Sequence, residues 1–315
     1  MSAARSQRAI ALVGVTAVGK SALAEAIAED LGAEIVCCDS RQVFRELEIG
    51  TGKPSAAERA ARPHHLFDTL SIGERASAGW FGRAATEVQD AIRDRGHLPM
   101  LVGGSGLYLR AAFEGLAPEP PHDAAIRARI RRAMEEEGPE RLHRRLAELD
   151  PEAAARLAPA DRQRIARALE VVEASGRPIS WWHRQTPPSK ASDSPLVFEL
   201  VEDPHRLRTR IAERTTAMFR EGLVEETDEL RRRGLGNVLR ALRAIGYDEA
   251  LALLEAAMTR EQAEDQTNLR TAQLAKRQRT WFRHQVEAVR LEAGIEPRVL
   301  RDTIHRALSS ETRVR

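Results

Sequence analysis

Apolar positions change their period along this chain, and each change marks an element. Ile10–Val13 is a short unbroken apolar run closed by Gly14, the pattern of a buried strand. From Ser21 to Leu31 the apolar positions Leu23, Ala26, Ile27 and Leu31 follow helical spacing, with Gly32 as a stop. Ala33–Cys38 reads as a second buried strand running into Asp39-Ser40. A helix over Ala76 to Arg95 then leads to a third strand, Leu98–Val102, which ends in Gly103-Gly104-Ser105-Gly106. Alternating strands and helices predict an α/β fold with a parallel sheet and crossover helices.

The pattern shifts at Ala117–Pro121. From His122 to about Gln185 the chain is rich in Ala, Arg and Glu, helical in period and free of strand-like runs, and it closes with Thr186–Lys190. A strand signal returns at Leu196–Val201, and long helices are predicted over most of the remainder. The organisation expected is an α/β core over 1–121 and 188–315, interrupted by an all-helical insertion over 122–187.

Composition narrows the class without choosing a function. The 315 residues are 42% hydrophobic and 30% charged, as a globular chain requires, with a net charge of +2. So small a charge excludes a uniformly basic nucleic-acid binder, and only local basic faces can speak. Cys37 and Cys38 are adjacent, which suits neither a disulfide framework nor a zinc site. No apolar run approaches the roughly 20 residues that span a bilayer. A soluble protein of the cytoplasm is therefore expected, with no membrane partner. Lysine occurs only at Lys20, Lys53, Lys190 and Lys276, so a compact ammonium at any of these is a candidate requirement.

The strongest chemical signal is Gly14-Val15-Thr16-Ala17-Val18-Gly19-Lys20-Ser21, between a strand and a helix. It fits G-x-x-x-x-G-K-[S/T], the phosphate-cradling loop of a P-loop NTPase-like fold. Loop amides and the helix N-terminus would receive a di- or triphosphate such as ATP, Lys20 would add a point charge, and Ser21 would ligate Mg²⁺. A kinase-like fold would place a second acid at another strand end, yet Leu98–Val102 runs into glycines. Asp39 is the nearby strand-terminal acid, at the carboxyl edge where ligands bind, as base or as metal ligand. Ser105 lies in a glycine turn at the same edge.

These residues resemble the tRNA dimethylallyltransferase (tRNA isopentenyltransferase) family. The matching stretches are Gly14–Ser21, Asp39–Phe44, Ile49–Pro54, Gly103–Arg110, Arg164–Glu170, Arg243–Tyr247, Lys276–Gln278 and Trp281-Phe282, in the family's order. The resemblance implies transfer of a dimethylallyl group from dimethylallyl diphosphate to N6 of the adenosine 3′ of the anticodon. It implies that Lys20, Mg²⁺ on Ser21, the loop amides and Arg243 hold the diphosphate, and that Asp39 is the base, helped by Ser105. The implied tRNA contacts are Asp39, Ser40, Arg41, Gln42, Ser105, Arg127, Gln163, Arg164, Ile165, Ala166, Arg167, Lys276, Arg277 and Gln278, with the insertion as an anticodon stem-loop clamp and the enzyme a monomer.

Residues 270–315 hold 11 basic and 5 acidic side chains, a local excess that suits RNA phosphates. Trp181 and Trp182 are expected to pack rather than stack on bases, and His64 and His65 to line a loop. The chain departs from the family pattern at Val15, where Pro is usual, at Ser105, where Thr is usual, and at Asp248 and Glu249, where a basic residue is frequent. Two other reactions fit the same loop: prenylation of a free adenine nucleotide, which needs no RNA clamp, and small-molecule phosphorylation, for which Arg206, Arg208, Arg210 and Arg214 would form a lid.

Overall fold

The computed structural model describes residues 8–116, 120–185 and 195–311. It divides into two compact units, Met1–Phe113 with Lys190–Arg315, and Glu114–Ser189. The first seam falls where a helix ends at Phe113, a few residues ahead of the proline-rich stretch where the sequence put it. The predicted hinge Thr186–Lys190, with Lys190 itself, lies outside the described residues.

In the first unit, strands β1 (Ile10–Gly14), β2 (Ala33–Cys37), β3 (His64–His65), β4 (Leu98–Gly103), β5 (Leu196–Val201) and β6 (Val289–Glu292) form one sheet in the order β3-β2-β4-β1-β5-β6. Every pairing is parallel. Helices α1 (Lys20–Leu31), α2 (Ala56–Ala61), α3 (Ala78–Asp94) and α4 (Gly106–Phe113) precede the insertion. The central strands are mainly apolar because helices cover both faces. The exceptions are buried Glu34 in β2, paired with Arg95, and buried Glu199 in β5, paired with Arg290. Ile10 and Leu12 face one core with Ile27, Phe198 and Ile211, while Ala11 and Val13 face the other with Phe44, Phe81 and Phe282. The register sets Val13 opposite Gly103, and Cys37 opposite Val102. The chain therefore leaves β1, β4 and β2 side by side at one edge, and β1 feeds α1 where the strand order reverses.

Two strands depart from the expected pattern. His64 and His65 form the edge strand β3, where His64 Nε2 meets Glu25 Oε1 at 2.5 Å and His65 Nε2 meets Glu34 Oε2 at 2.6 Å. Val289–Glu292 forms the other edge, β6, inside a region predicted as helical. Both are short and half-solvated, so neither has the apolar run of a central strand.

The second unit is helical: α5 (Ala124–Glu136), α6 (Pro139–Leu149), α7 (Pro151–Arg156), α8 (Arg162–Ser175) and α9 (Ile179–His183). Its core gathers Ile130, Met134, Leu142, Leu146, Ile165 and Leu169. The first unit resumes with α10 (Pro204–Arg220), α11 (Leu223–Arg232), α12 (Gly236–Leu242), α13 (Tyr247–Leu254), α14 (Arg260–Gln285) and α15 (Pro297–Glu311). Among the described residues, no helix is long and apolar enough to cross a membrane.

Candidate active site

Residues 14–21 join β1 to α1 as a tight loop. Gly19, the residue before α1, has φ +96°, a left-handed conformation that side chains other than glycine's rarely adopt. Lys20 folds back so that its Nζ donates to the Val15 carbonyl at 2.7 Å. Burial lowers its pKa to about 8; Asp39 pulls it back up and Arg214 pushes it further down. Ser21 is exposed on the first turn of α1, and its hydroxyl makes no hydrogen bond among the described residues.

Two arginines of α10 reach this loop. Arg214 donates to Thr16 Oγ1 at 3.2 Å and to the Thr51 carbonyl at 2.9 Å, and Arg210 donates to the Val18 carbonyl at 3.1 Å. Burial lowers the Arg214 pKa, opposed by the charge of Asp39. Lys20, Arg214 and Asp39 thus share one electrostatic neighbourhood. Sequence reasoning placed Arg210 and Arg214 in a lid for a different reaction.

Asp39 follows β2. Its Oδ1 accepts the Arg41 N–H at 2.8 Å, while Oδ2 has no hydrogen bond among the described residues. Ser105 Oγ accepts the Ser40 N–H at 3.0 Å, so its own hydrogen is left to donate elsewhere. The Ser105 N–H donates to the Cys38 carbonyl at 3.1 Å, which joins the turn after β4 to the end of β2. The loop at 48–53 is held from behind. Tyr247 donates to Glu226, whose carboxylate accepts the Glu48 and Ile49 N–H groups, and buried Lys53 donates to the Phe44 carbonyl at 2.7 Å and to Asp68 at 2.5 Å.

The other predicted residues divide by environment. Arg41 reaches the Leu242 carbonyl at 2.8 Å, and Gln42 donates to the Thr51 and Gly52 carbonyls at 3.1 Å. Lys276 and Arg277 are exposed on α14. Gln278, expected among the RNA contacts, turns inward: it accepts the Thr16 N–H at 2.9 Å and donates to the Gly104 carbonyl at 3.0 Å. Arg243 is exposed, with φ +50°, and lines a cavity of about 420 Å³ with Arg240, Asp248, Glu255 and Arg270. Among the described residues no hydrogen bond links Arg243 to the 14–21 loop. Asp248 and Glu249 both pair with Arg270, at 2.9 and 2.5 Å.

In the second unit, Gln163 and Arg164 are exposed at the start of α8, whose N-terminus is capped by Asp161. Arg127 and Arg167 approach Glu170 at 3.8 and 3.7 Å. Ala166 is half-buried. Ile165 corrects the expectation of an RNA contact, since its side chain is wholly enclosed in the helical core. Trp181 and Trp182 pack edge to face with centroids 5.1 Å apart, and the Trp182 indole donates to Ser175 Oγ at 3.1 Å.

Fold and site together define a parallel α/β protein with a Gly-x-x-x-x-Gly-Lys-Ser loop at its carboxyl edge, ringed by Lys20, Arg210 and Arg214 and faced by Asp39. The family described as IPP transferase matches residues 42–285. The chain is 47% identical over 287 residues to a tRNA dimethylallyltransferase of Halorhodospira halophila, covering 90% of this chain and 92% of that one. A tRNA isopentenylpyrophosphate transferase structure from Bacillus halodurans superposes with TM-score 0.70 and 31% identity, over 98% of this chain and 99% of that one. A eukaryotic dimethylallyltransferase acting on tRNA gives TM-score 0.75 and 26% identity, over 91% and 74%. This chain belongs to the IPP transferase family.

Proposed function

We propose that this protein is a tRNA dimethylallyltransferase. It moves the dimethylallyl group of dimethylallyl diphosphate onto N6 of the adenosine 3′ of the anticodon and releases diphosphate. The allylic carbon–oxygen bond breaks with its electron pair on the diphosphate, the carbon–nitrogen bond forms, and the amine gives up a proton. Catalysis then needs positive charge where the diphosphate departs and a proton acceptor near the amine. Lys20, Arg214, the loop amides and the α1 N-terminus supply the first, with Arg243 a further candidate. Asp39 supplies the second through its unbonded Oδ2, and Ser105 positions it.

The observation that carries this reading is the placement of Asp39. It lies close enough to Lys20 and Arg214 to perturb both cations, and one of its oxygens is fixed by the Arg41 N–H. In addition, β4 ends in Gly103-Gly104-Ser105 with no second acid for phosphoryl transfer. The open hydroxyl of Ser21 fits Mg²⁺ held mainly by diphosphate oxygens, a cation that adds charge neutralisation for the leaving group. The RNA would be gripped by Gln163, Arg164, Arg167 and Arg127 of the helical unit, and by Lys276 and Arg277 on α14. The buried free thiols Cys37 and Cys38 suit a reducing cytoplasm, where the enzyme would act as a monomer.

The test is label transfer from dimethylallyl diphosphate, with Mg²⁺, to an anticodon stem-loop carrying adenosine, to its guanosine variant, and to AMP and ATP. Label on the adenosine loop alone is expected, and Asp39→Asn should lower kcat roughly 10²-fold or more with RNA binding kept. Label on free nucleotide, or ATP turnover without transfer, would replace this function by one of the other two.

A further inference from the structure

We infer that Gln278 is a positioning residue that locks the diphosphate loop to the turn beside the base, an assignment that rests on the reaction proposed above. Its carboxamide is used at both ends. Oε1 accepts the Thr16 N–H at 2.9 Å, inside the 14–21 loop, and Nε2 donates to the Gly104 carbonyl at 3.0 Å. The orientation is unambiguous because a backbone N–H can only donate and a carbonyl can only accept.

The fit at Gly104 is close. A Cβ there would sit 2.4 Å from Gln278 Nε2, so the amide lies directly against the turn. Ser105 follows immediately and bonds the Cys38 carbonyl and the Ser40 N–H, the two neighbours of Asp39. A continuous path of hydrogen bonds therefore runs from the loop that would hold the leaving group to the strip that carries the base. Among the described residues, Gln278 is the single side-chain bridge between loop and turn.

Helix geometry explains why this Gln faces inward. Ala275, Gln278 and Phe282 stand three and four residues apart on one stripe of α14, and Ala275 and Phe282 are both buried. Lys276 and Arg277 point to solvent from the remaining arc. Alignment of donor carbon and acceptor nitrogen tolerates little error, since a misplacement of about 1 Å costs roughly 10²-fold in rate. Holding the two loops at a fixed separation is thus a kinetic function that needs no contact with either substrate.

The test compares Gln278→Leu and Gln278→Glu with the unmodified chain by labelled transfer and by amide hydrogen exchange. Gln278→Leu should lower kcat roughly 10- to 100-fold, leaving the KM for the stem-loop and its salt slope unchanged. Exchange should speed up in both the 14–19 and the 103–108 segments. Gln278→Glu keeps an acceptor for Thr16 but sets a carboxylate against the Gly104 carbonyl. It should protect the loop, release the turn and lower kcat similarly, and it serves if the Leu variant fails to fold. A raised KM with a shallower salt slope at unchanged kcat would make Gln278 an RNA contact and overturn the inference. So would unchanged exchange, or a loss of activity that only tracks the folded fraction. If the unmodified chain transfers no label, the proposed function fails and exchange alone still decides the tether.

Discussion

Raising the pH isolates Lys20. Its ammonium sits half-buried against the Val15 carbonyl, and burial brings its pKa from 10.5 down to about 8, with Asp39 opposing and Arg214 reinforcing the shift. The group is then about nine-tenths cationic at pH 7 and about one-tenth at pH 9. A bound diphosphate favours the ammonium, so its Kd should be flat up to about pH 8 and rise about tenfold per unit above it. Calorimetry with a non-reactive thiolo analogue of dimethylallyl diphosphate reads this directly. At pH 8.5, titrations in two buffers of different ionisation enthalpy should report uptake of about three-quarters of a proton.

Folding has the opposite sign. The folded pKa is depressed below the unfolded one, so the Lys20 charge opposes folding below pH 8. That penalty is relieved as pH rises through 8 towards 10.5. The free chain should therefore gain stability from this group over the window in which ligand affinity falls. Lys20→Arg should remove the break. A Kd constant from pH 7 to 9.5, or a break near the ordinary lysine value, would refute the reasoning.

Arg214→Met deletes the guanidinium bonded to Thr16 and Thr51 and should lower kcat roughly 10²-fold in steady-state assays. Because the Arg214 charge holds the Lys20 pKa down, the alkaline break should also move upward, and an unmoved break would separate the two cations. Arg243→Gly should raise Tm by an amount equivalent to about 1 kcal/mol, since φ +50° strains any side chain there, and a Tm that does not rise would show that the helix end bears no strain. Lys53→Met should cost about 2–3 kcal/mol in urea unfolding. That lies at or below the range for a fully buried pair, because Glu48 and Asp68 stay 42% and 32% exposed and Arg59 still reaches both. A loss under about 0.5 kcal/mol would mean that Arg59 suffices.

The strands were legible because a parallel sheet covered on both faces favours short apolar runs. Ile10–Val13 and Leu98–Val102 are unbroken, and Ala33–Cys38 and Leu196–Val201 are interrupted only by Glu34 and Glu199. Once those strands were parallel, their carboxyl ends had to share an edge, so the 14–21 loop, Asp39 and Ser105 could be brought together from sequence alone. The edge strands β3 and β6 escaped notice because two and four half-solvated residues carry no such run.

Side-chain direction was the harder part, and a motif is a poor guide to it. Lys276-Arg277-Gln278 stands as one run of implied RNA contacts, yet successive helical residues point about 100° apart, so all three cannot share a face. The period separates them: Gln278 falls on the stripe of Ala275 and Phe282 and turns to the loop, while Lys276 and Arg277 face water. The same test removes Ile165 from the RNA surface, because it stands on the buried stripe with Ala168 and Leu169, whereas Arg164 lies off that stripe. Arg210 and Arg214 carry the same signal, since each stands three residues after a buried apolar residue of α10, Leu207 and Ile211. They sit on a helix dense in arginine, and the stripe of Leu207 and Ile211, buried in one core with Ile10, Leu12 and Ile27, carries these two to the loop. Where motif and helical period disagree, the period decides which side chain meets substrate and which holds the site in shape.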